Sequence, residues 1–277
     1  IEGFDSELAR AERNAGILLD AGFTSAYSAG SLLDMPVEVA LKQKIGAGVV
    51  KGPRFLSAAG ERDNLPADPQ GRQRSNWHGP DAMRDWVTSH AQQGYDSIKF
   101  LVSNDDVFIE GGSMMTQFDS AEMQAAGESA REAGVWLNGH CQNPDSIKIA
   151  VAAGFRSIYH CTYADEEALD ALESAKDFLF VSPAVGIIYA NVYQGAEFGI
   201  TPEWAVKMGS VASLEGMQAI YPEIRKRGIR ALIGGDYGFP NNPTGSNAKD
   251  LRLFVEYLGY SPIEALVAGT RYGGELM

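Results

Sequence analysis

Short apolar runs alternate with longer stretches of helical spacing along the whole chain. Seven runs read as buried strands: 23–27, 54–59, 97–102, 135–140, 157–161, 178–183 and 230–236. A continuous apolar run of that length, closed by turn residues, marks a strand covered on both faces. Between the runs, apolar residues recur three and four positions apart, as one face of a helix requires. Leu8, Ala11, Ala15, Leu18 and Leu19 do so within 6–19, and Val37, Ala40 and Leu41 within 36–45. Further helices are predicted over 80–93, 120–132, 144–153 and 165–175, two within 202–226, then 248–258 and 262–270. Asn143-Pro144 supplies a capping side chain followed by a first-turn proline. Gly22, Gly94, Gly134, Gly154 and Gly228 stand just past predicted helices, where a left-handed residue ends them. The stretches 102–117, 186–200 and 237–247 read as loops after strands.

Alternating strands and helices predict an α/β fold with a parallel sheet covered by helices. Neither G-x-G-x-x-G nor G-x-x-x-x-G-K-[ST] occurs, which weighs against a doubly wound nucleotide-binding sheet. One strand ahead of the seven would give a (β/α)8 TIM barrel. The chain opens at Ile1 directly into a helical stretch. The expectation is therefore one barrel domain over 1–277, truncated at both ends and lacking its first strand and a flanking β-sandwich.

Composition narrows the partners. The 277 residues carry a net charge of −13, with no run of lysine and arginine, so a nucleic-acid partner is not expected. No apolar stretch is long enough to span a bilayer, so no membrane partner is expected either. A cytoplasmic location, a small-molecule substrate and a homo-oligomer are the expectations. The two cysteines, Cys141 and Cys161, each follow a histidine. Alternation along a strand turns each away from that histidine, so both read as buried, reduced thiols.

Four of the strand runs carry an ionisable residue at or near their ends: Lys99, His140, His160 and Asp236. A buried ionisable group is costly unless paired or bound to a metal. Two imidazoles, a carboxylate and a lysine at one end of neighbouring strands point to a divalent-metal site. Lys99 has two further readings, a strand-end lysine reaching solvent and a Schiff-base amine of a metal-free lyase or aldolase. A non-catalytic barrel fragment is a third possibility for the whole chain. His78 and His90 read as surface residues. Tyr163, Tyr189 and Tyr237 are candidate substrate contacts, on loops whose aromatic and methionine content suits an apolar or amphipathic ligand.

These residues sit in passages that resemble the amidohydrolase superfamily. They are Leu-Leu-Asp-Ala-Gly-Phe-Thr-Ser (18–25), Asp-Ser-Ile-Lys-Phe (96–100), Asn-Gly-His-Cys (138–141), Ser-Ile-Tyr-His-Cys (157–161) and Ile-Gly-Gly-Asp (233–236), with 261–275 closing the chain. The order covers nearly the whole chain. It is most similar to the prolidase- and imidazolonepropionase-like branch and to xenobiotic amide and carbamate hydrolases such as molinate hydrolase. The resemblance implies hydrolysis of an amide, carbamate or peptide C–N bond by a metal-activated water. It makes Lys99 a CO2-derived carbamate bridging one or two divalent ions, zinc foremost, with cobalt, manganese or iron as alternatives. His140 and His160 would ligate one ion. Asp236 would ligate the other and shuttle the proton. The family's His-x-His on its first strand is absent here, and the resemblance places that strand ahead of Ile1.

Overall fold

The computed structural model describes residues 3–32, 35–67 and 71–277. Its strands are β1 (Ser25–Tyr27), β2 (Arg54–Leu56), β3 (Ser97–Leu101), β4 (Trp136–Cys141), β5 (Ser157–His160) and β6 (Phe180–Ser182). β1 pairs with β2, and β3 to β6 form a second sheet in chain order, every pairing parallel. Single parallel bridges extend the row. Ala58 and Arg62 join the segment after β2 to β3, and Ala231 joins β6. The row is curved, because the Tyr27 hydroxyl reaches across the interior to Ser157 Oγ at 2.6 Å and to the Tyr159 hydroxyl.

Helices follow the strands: α1 (Phe4–Asp20), α2 (Val37–Gly46), α3 (Pro80–Gln92), α4 (Ser120–Ala133), α5 (Pro144–Ala153), α6 (Glu166–Ser174), α7 (Val185–Tyr193), α8 (Pro202–Lys207), α9 (Ser210–Lys226), α10 (Lys249–Tyr257), α11 (Pro262–Val267) and α12 (Gly273–Leu276). Their buried faces and the outer faces of the strands form the main core, which contains both Cys141 and Cys161 as free thiols. The local signals act as read. Asn143 accepts the Ser146 N–H at 2.9 Å to cap α5. Gly22, Gly94, Gly134, Gly154 and Gly228 all have positive φ.

Three departures have physical causes. α7 lies within the predicted loop 186–200. Its sequence Val-Gly-Ile-Ile-Tyr-Ala-Asn-Val-Tyr is apolar nearly all round, so it carries no amphipathic period, and it packs against α9 and α10 instead. The run 230–236 pairs with β6 only around Ala231, through Val181 N–H to Arg230 O and Leu232 N–H to Val181 O. Beyond that point side chains replace the ladder: Ser182 Oγ donates to Gly234 O, and Asp250 accepts the Gly234 N–H. His90 is buried rather than at the surface. Its Nδ1 bonds Trp86 O at 2.8 Å, and its ring packs on Trp86 and Tyr95.

Candidate active site

Lys99, His140 and His160 come from β3, β4 and β5, and all three are buried. The two imidazoles meet edge to face with ring centroids 4.4 Å apart. His160 sits at φ +72, outside strand geometry, so its ring reaches inward although its neighbour Tyr159 also points into the interior. The Tyr221 hydroxyl holds the His160 carbonyl at 3.1 Å.

The two rings are held by different partners. His160 Nδ1 lies 3.3 Å from the Pro183 carbonyl, which can only accept, so that nitrogen carries the proton. The Nε2 of His140 faces Asp105 Oδ2 at 3.5 Å and Gln142 Nε2 at 3.4 Å. Burial, then the charges of His160 and Lys99, push His140 well below the usual imidazole range. Burial pushes His160 down as well, with Asp105 opposing and Lys99 adding. Both rings are therefore neutral at neutral pH, the form a metal requires.

Lys99 Nζ pairs with Glu61 at 3.1 Å and lies 4.8 Å from the centre of the Tyr159 ring. Gly30, at φ +129, leaves room for this lysine: a Cβ there would sit 2.6 Å from Lys99 Cγ. Asp236 follows the β6-paired segment at φ +57 and is reached by solvent. Surrounding protein raises its carboxyl above the usual range, and the Lys99 charge pulls it back. Asp105 feels the charges of both His160 and Asp236. Lys99, His140 and His160 thus stand on three adjacent strands, with the Asp236 carboxyl within range of the Lys99 charge.

Glu61 and Asp105 join this group; Glu61 carries no local signal, and Asp105 was marked only as part of the loop 102–117. Asp250 and Asn242 lie just behind it. Asp250 did leave a signal, since it occupies the buried stripe of α10 together with Leu253 and Phe254. The tyrosines divide. Tyr163 is half-buried and close enough to Asp105 and Asp106 for their charges to raise its hydroxyl, after burial. Tyr189 packs with Tyr193 and Tyr257 between α7 and α10. The Tyr237 hydroxyl is taken by Asp250 Oδ1 at 2.7 Å and Asn247 O at 3.3 Å.

The donors fit a divalent ion in kind: two imidazoles, that of His160 with its second nitrogen fixed by a backbone carbonyl, and carboxylates beside them. In number they fall short. Among the described residues no three His, Cys, Asp or Glu side chains are grouped closely enough to form a metal cluster.

No family model matches the chain. Among curated proteins it is similar to an ochratoxinase of Aspergillus niger, 26% identical over 192 residues, a match that spans 69% of this chain and 38% of that protein. Among solved structures, A. niger ochratoxinase superposes with a TM-score of 0.79 at 22% identity, covering 98% of this chain and 64% of that one. A Xaa-Pro dipeptidase with methionine bound in its active site gives 0.80 at 22% identity, over 98% and 68% of the two chains. Molinate hydrolase gives 0.69 at 16%, over 100% and 69%. The chain therefore has the α/β fold of amidohydrolase-type enzymes, and its resemblance to that superfamily extends from the sequence to three dimensions. Among the described residues no helix is long and apolar enough to cross a membrane.

Proposed function

We propose that this chain forms the catalytic part of a metal-dependent hydrolase of amide, carbamate or peptide C–N bonds. The observation that carries the reading is the pair of imidazoles on adjacent strands, ring centroids 4.4 Å apart and one of them held by a backbone carbonyl, beside Lys99 and Asp236. Its relatives support it, being described as ochratoxinase, prolidase, dipeptidase and molinate hydrolase.

In this reading His140, His160, Asp236 and a carbamylated Lys99 would hold one or two divalent ions, zinc first. Carbamylation requires Lys99 to leave its pair with Glu61. A bound ion of this kind polarises the scissile carbonyl and lowers the pKa of water from about 15.7 towards 7. Asp236 takes the proton of the attacking water and delivers it to the leaving nitrogen. Tyr163 is the tyrosine best placed to meet a substrate. The exposed Phe108, Met114 and Met115 on the loop after β3 favour an apolar or amphipathic one. A (β/α)8 barrel, with one strand beyond the seven paired segments, belongs to the same proposal, as do a cytoplasmic location and a homo-oligomer. The Schiff-base reading on Lys99 loses ground, because it gives no role to the two imidazoles paired beside that lysine.

The test is turnover of N-acyl amino acids, dipeptides and aryl carbamates by the full-length protein. Hydrolysis should stop on chelation and return with zinc, cobalt or manganese. Hydrolysis indifferent to chelators, or borohydride trapping of a carbonyl substrate on Lys99, would overturn the proposal.

A further inference from the structure

We propose that Asn242 and Asp250 are positioning residues that lock Asp236 in its left-handed backbone conformation, Asn242 through two successive carbonyls and Asp250 through the flanking Gly234 amide and Tyr237 hydroxyl. The inference rests on the reading of Asp236 as a site residue.

A non-glycine residue at positive φ needs its surroundings to hold it there. Asp236 sits at φ +57, just where the β6 ladder has stopped. Asn242 is fully buried, and its Nδ2 donates to Gly235 O at 2.7 Å and to Asp236 O at 2.9 Å. Asp250, also buried, accepts the Gly234 N–H at 3.1 Å and the Tyr237 hydroxyl at 2.7 Å. Two side chains from outside thus fix four consecutive residues. Among the described residues the Asn242 Oδ1 has no hydrogen-bond partner. A buried amide with only its donor side satisfied costs stability, which fits a side chain retained for the geometry it imposes.

Glycines make the close approach possible. A Cβ at Gly235 would lie 2.6 Å from Tyr237 Cε2 and 2.7 Å from Asp250 Oδ1. One at Gly186, in the first turn of α7, would lie 2.8 Å from Asp250 Oδ1 and 2.9 Å from Gly235 Cα. The loop 237–247, which the sequence assigned to substrate contact, therefore turns a side chain inward to brace the backbone of the site.

The experiment compares the full-length wild type with Asn242→Ala, Asp250→Asn and, as reference, Asp236→Asn. Cobalt(II) alone is titrated by its visible absorption, and amide hydrogen exchange is followed over residues 233–238. Asn242→Ala should bind cobalt at least tenfold more weakly and exchange faster at 234–237, with β4 and β5 unchanged. Asp250→Asn keeps the shape and one acceptor, so it should fall between wild type and Asn242→Ala. On a hydrolysed amide, kcat should drop with KM unchanged. Wild-type cobalt affinity in Asn242→Ala, alongside weakened binding in Asp236→Asn, would overturn the clamp. If Asp236→Asn itself binds cobalt like the wild type, the ligand role of Asp236 falls instead. The clamp is then decided by exchange alone: faster at 234–237 in Asn242→Ala supports it, and unchanged exchange overturns it.

Discussion

Replacing Asp236 by asparagine keeps the shape of the side chain and removes its charge and its capacity to take a proton. Turnover per folded, metallated molecule should fall by about 10²-fold or more, while metal content falls less. Near-native turnover would return Asp236 to the role of a turn former. Gly30 makes a second sharp case. Alanine there would press a methyl group into Lys99 Cγ at 2.6 Å and Glu61 Cγ at 3.3 Å, on a backbone at φ +129. Gly30→Ala should cost about 1–3 kcal/mol and disturb the Lys99–Glu61 pair; a denaturation midpoint equal to the wild type would contradict this. At this scale the sequence was partly legible. Lys99, His140 and His160 stood out because they interrupt apolar runs. Glu61 did not, and Asp105 and Asn242 were marked only as members of the loops 102–117 and 237–247, because a carboxylate or amide in a loop looks like any surface residue until the fold turns it inward.

The elements were most legible where a period or a cap wrote them. The amphipathic helices and the caps at Asn143, Asp165 and Ser261 follow from local chemistry alone. α7 was hidden by its uniform apolarity, and the end of the 230–236 run was hidden because a carboxylate on α10, distant in sequence, takes over its hydrogen bonding. Packing between elements makes its own prediction at Gly127. Glycine inside a helix ordinarily costs about 1 kcal/mol relative to alanine, so Gly127→Ala would stabilise an isolated α4. In the folded chain the new Cβ would run into the Ala153 carbonyl oxygen of α5, a backbone atom that cannot swing aside. The expected result is a net loss of about 1–3 kcal/mol. Urea denaturation decides the sign, and a stabilised variant would show that α4 and α5 can separate without cost.

For the molecule as a whole, pH acts through groups that fold into unfavourable surroundings. Glu38 of α2 accepts the Ala58 N–H and the Ser28 hydroxyl, both at 2.7 Å, and so ties a helix to the segments after β1 and β2. Burial raises its carboxyl from 4.5 to about 7, against the pull of both hydrogen bonds. The folded protein holds this proton more tightly than the unfolded chain does. Its contribution is therefore fully present below about pH 4.5 and is lost as pH rises through about 7. The difference between those values caps the effect at about 3 kcal/mol, and partial solvent access reduces it. Glu38→Gln should flatten the stability profile between pH 5 and 8 relative to wild type. Identical slopes in denaturant titrations across that range would remove Glu38 as the cause.

The cluster that closes the interior of the curved row has a kinetic meaning. Tyr27 of β1 and Leu276 of α12, almost the whole chain apart, meet there with Phe180, Leu232, Trp136 and Tyr272. Contacts of such long range cannot reward the chain until the loops between them have closed. Neighbouring strand–helix units can form on their own, but this cluster must wait until Tyr27 and Leu276 are both in place. Until then Phe180 and Leu232 face an open interior, and the half-finished row presents unpaired backbone at both edges. Folding should be slow in its last step, and a chaperone's hold on the emerging chain would matter most in the interval before α12 arrives.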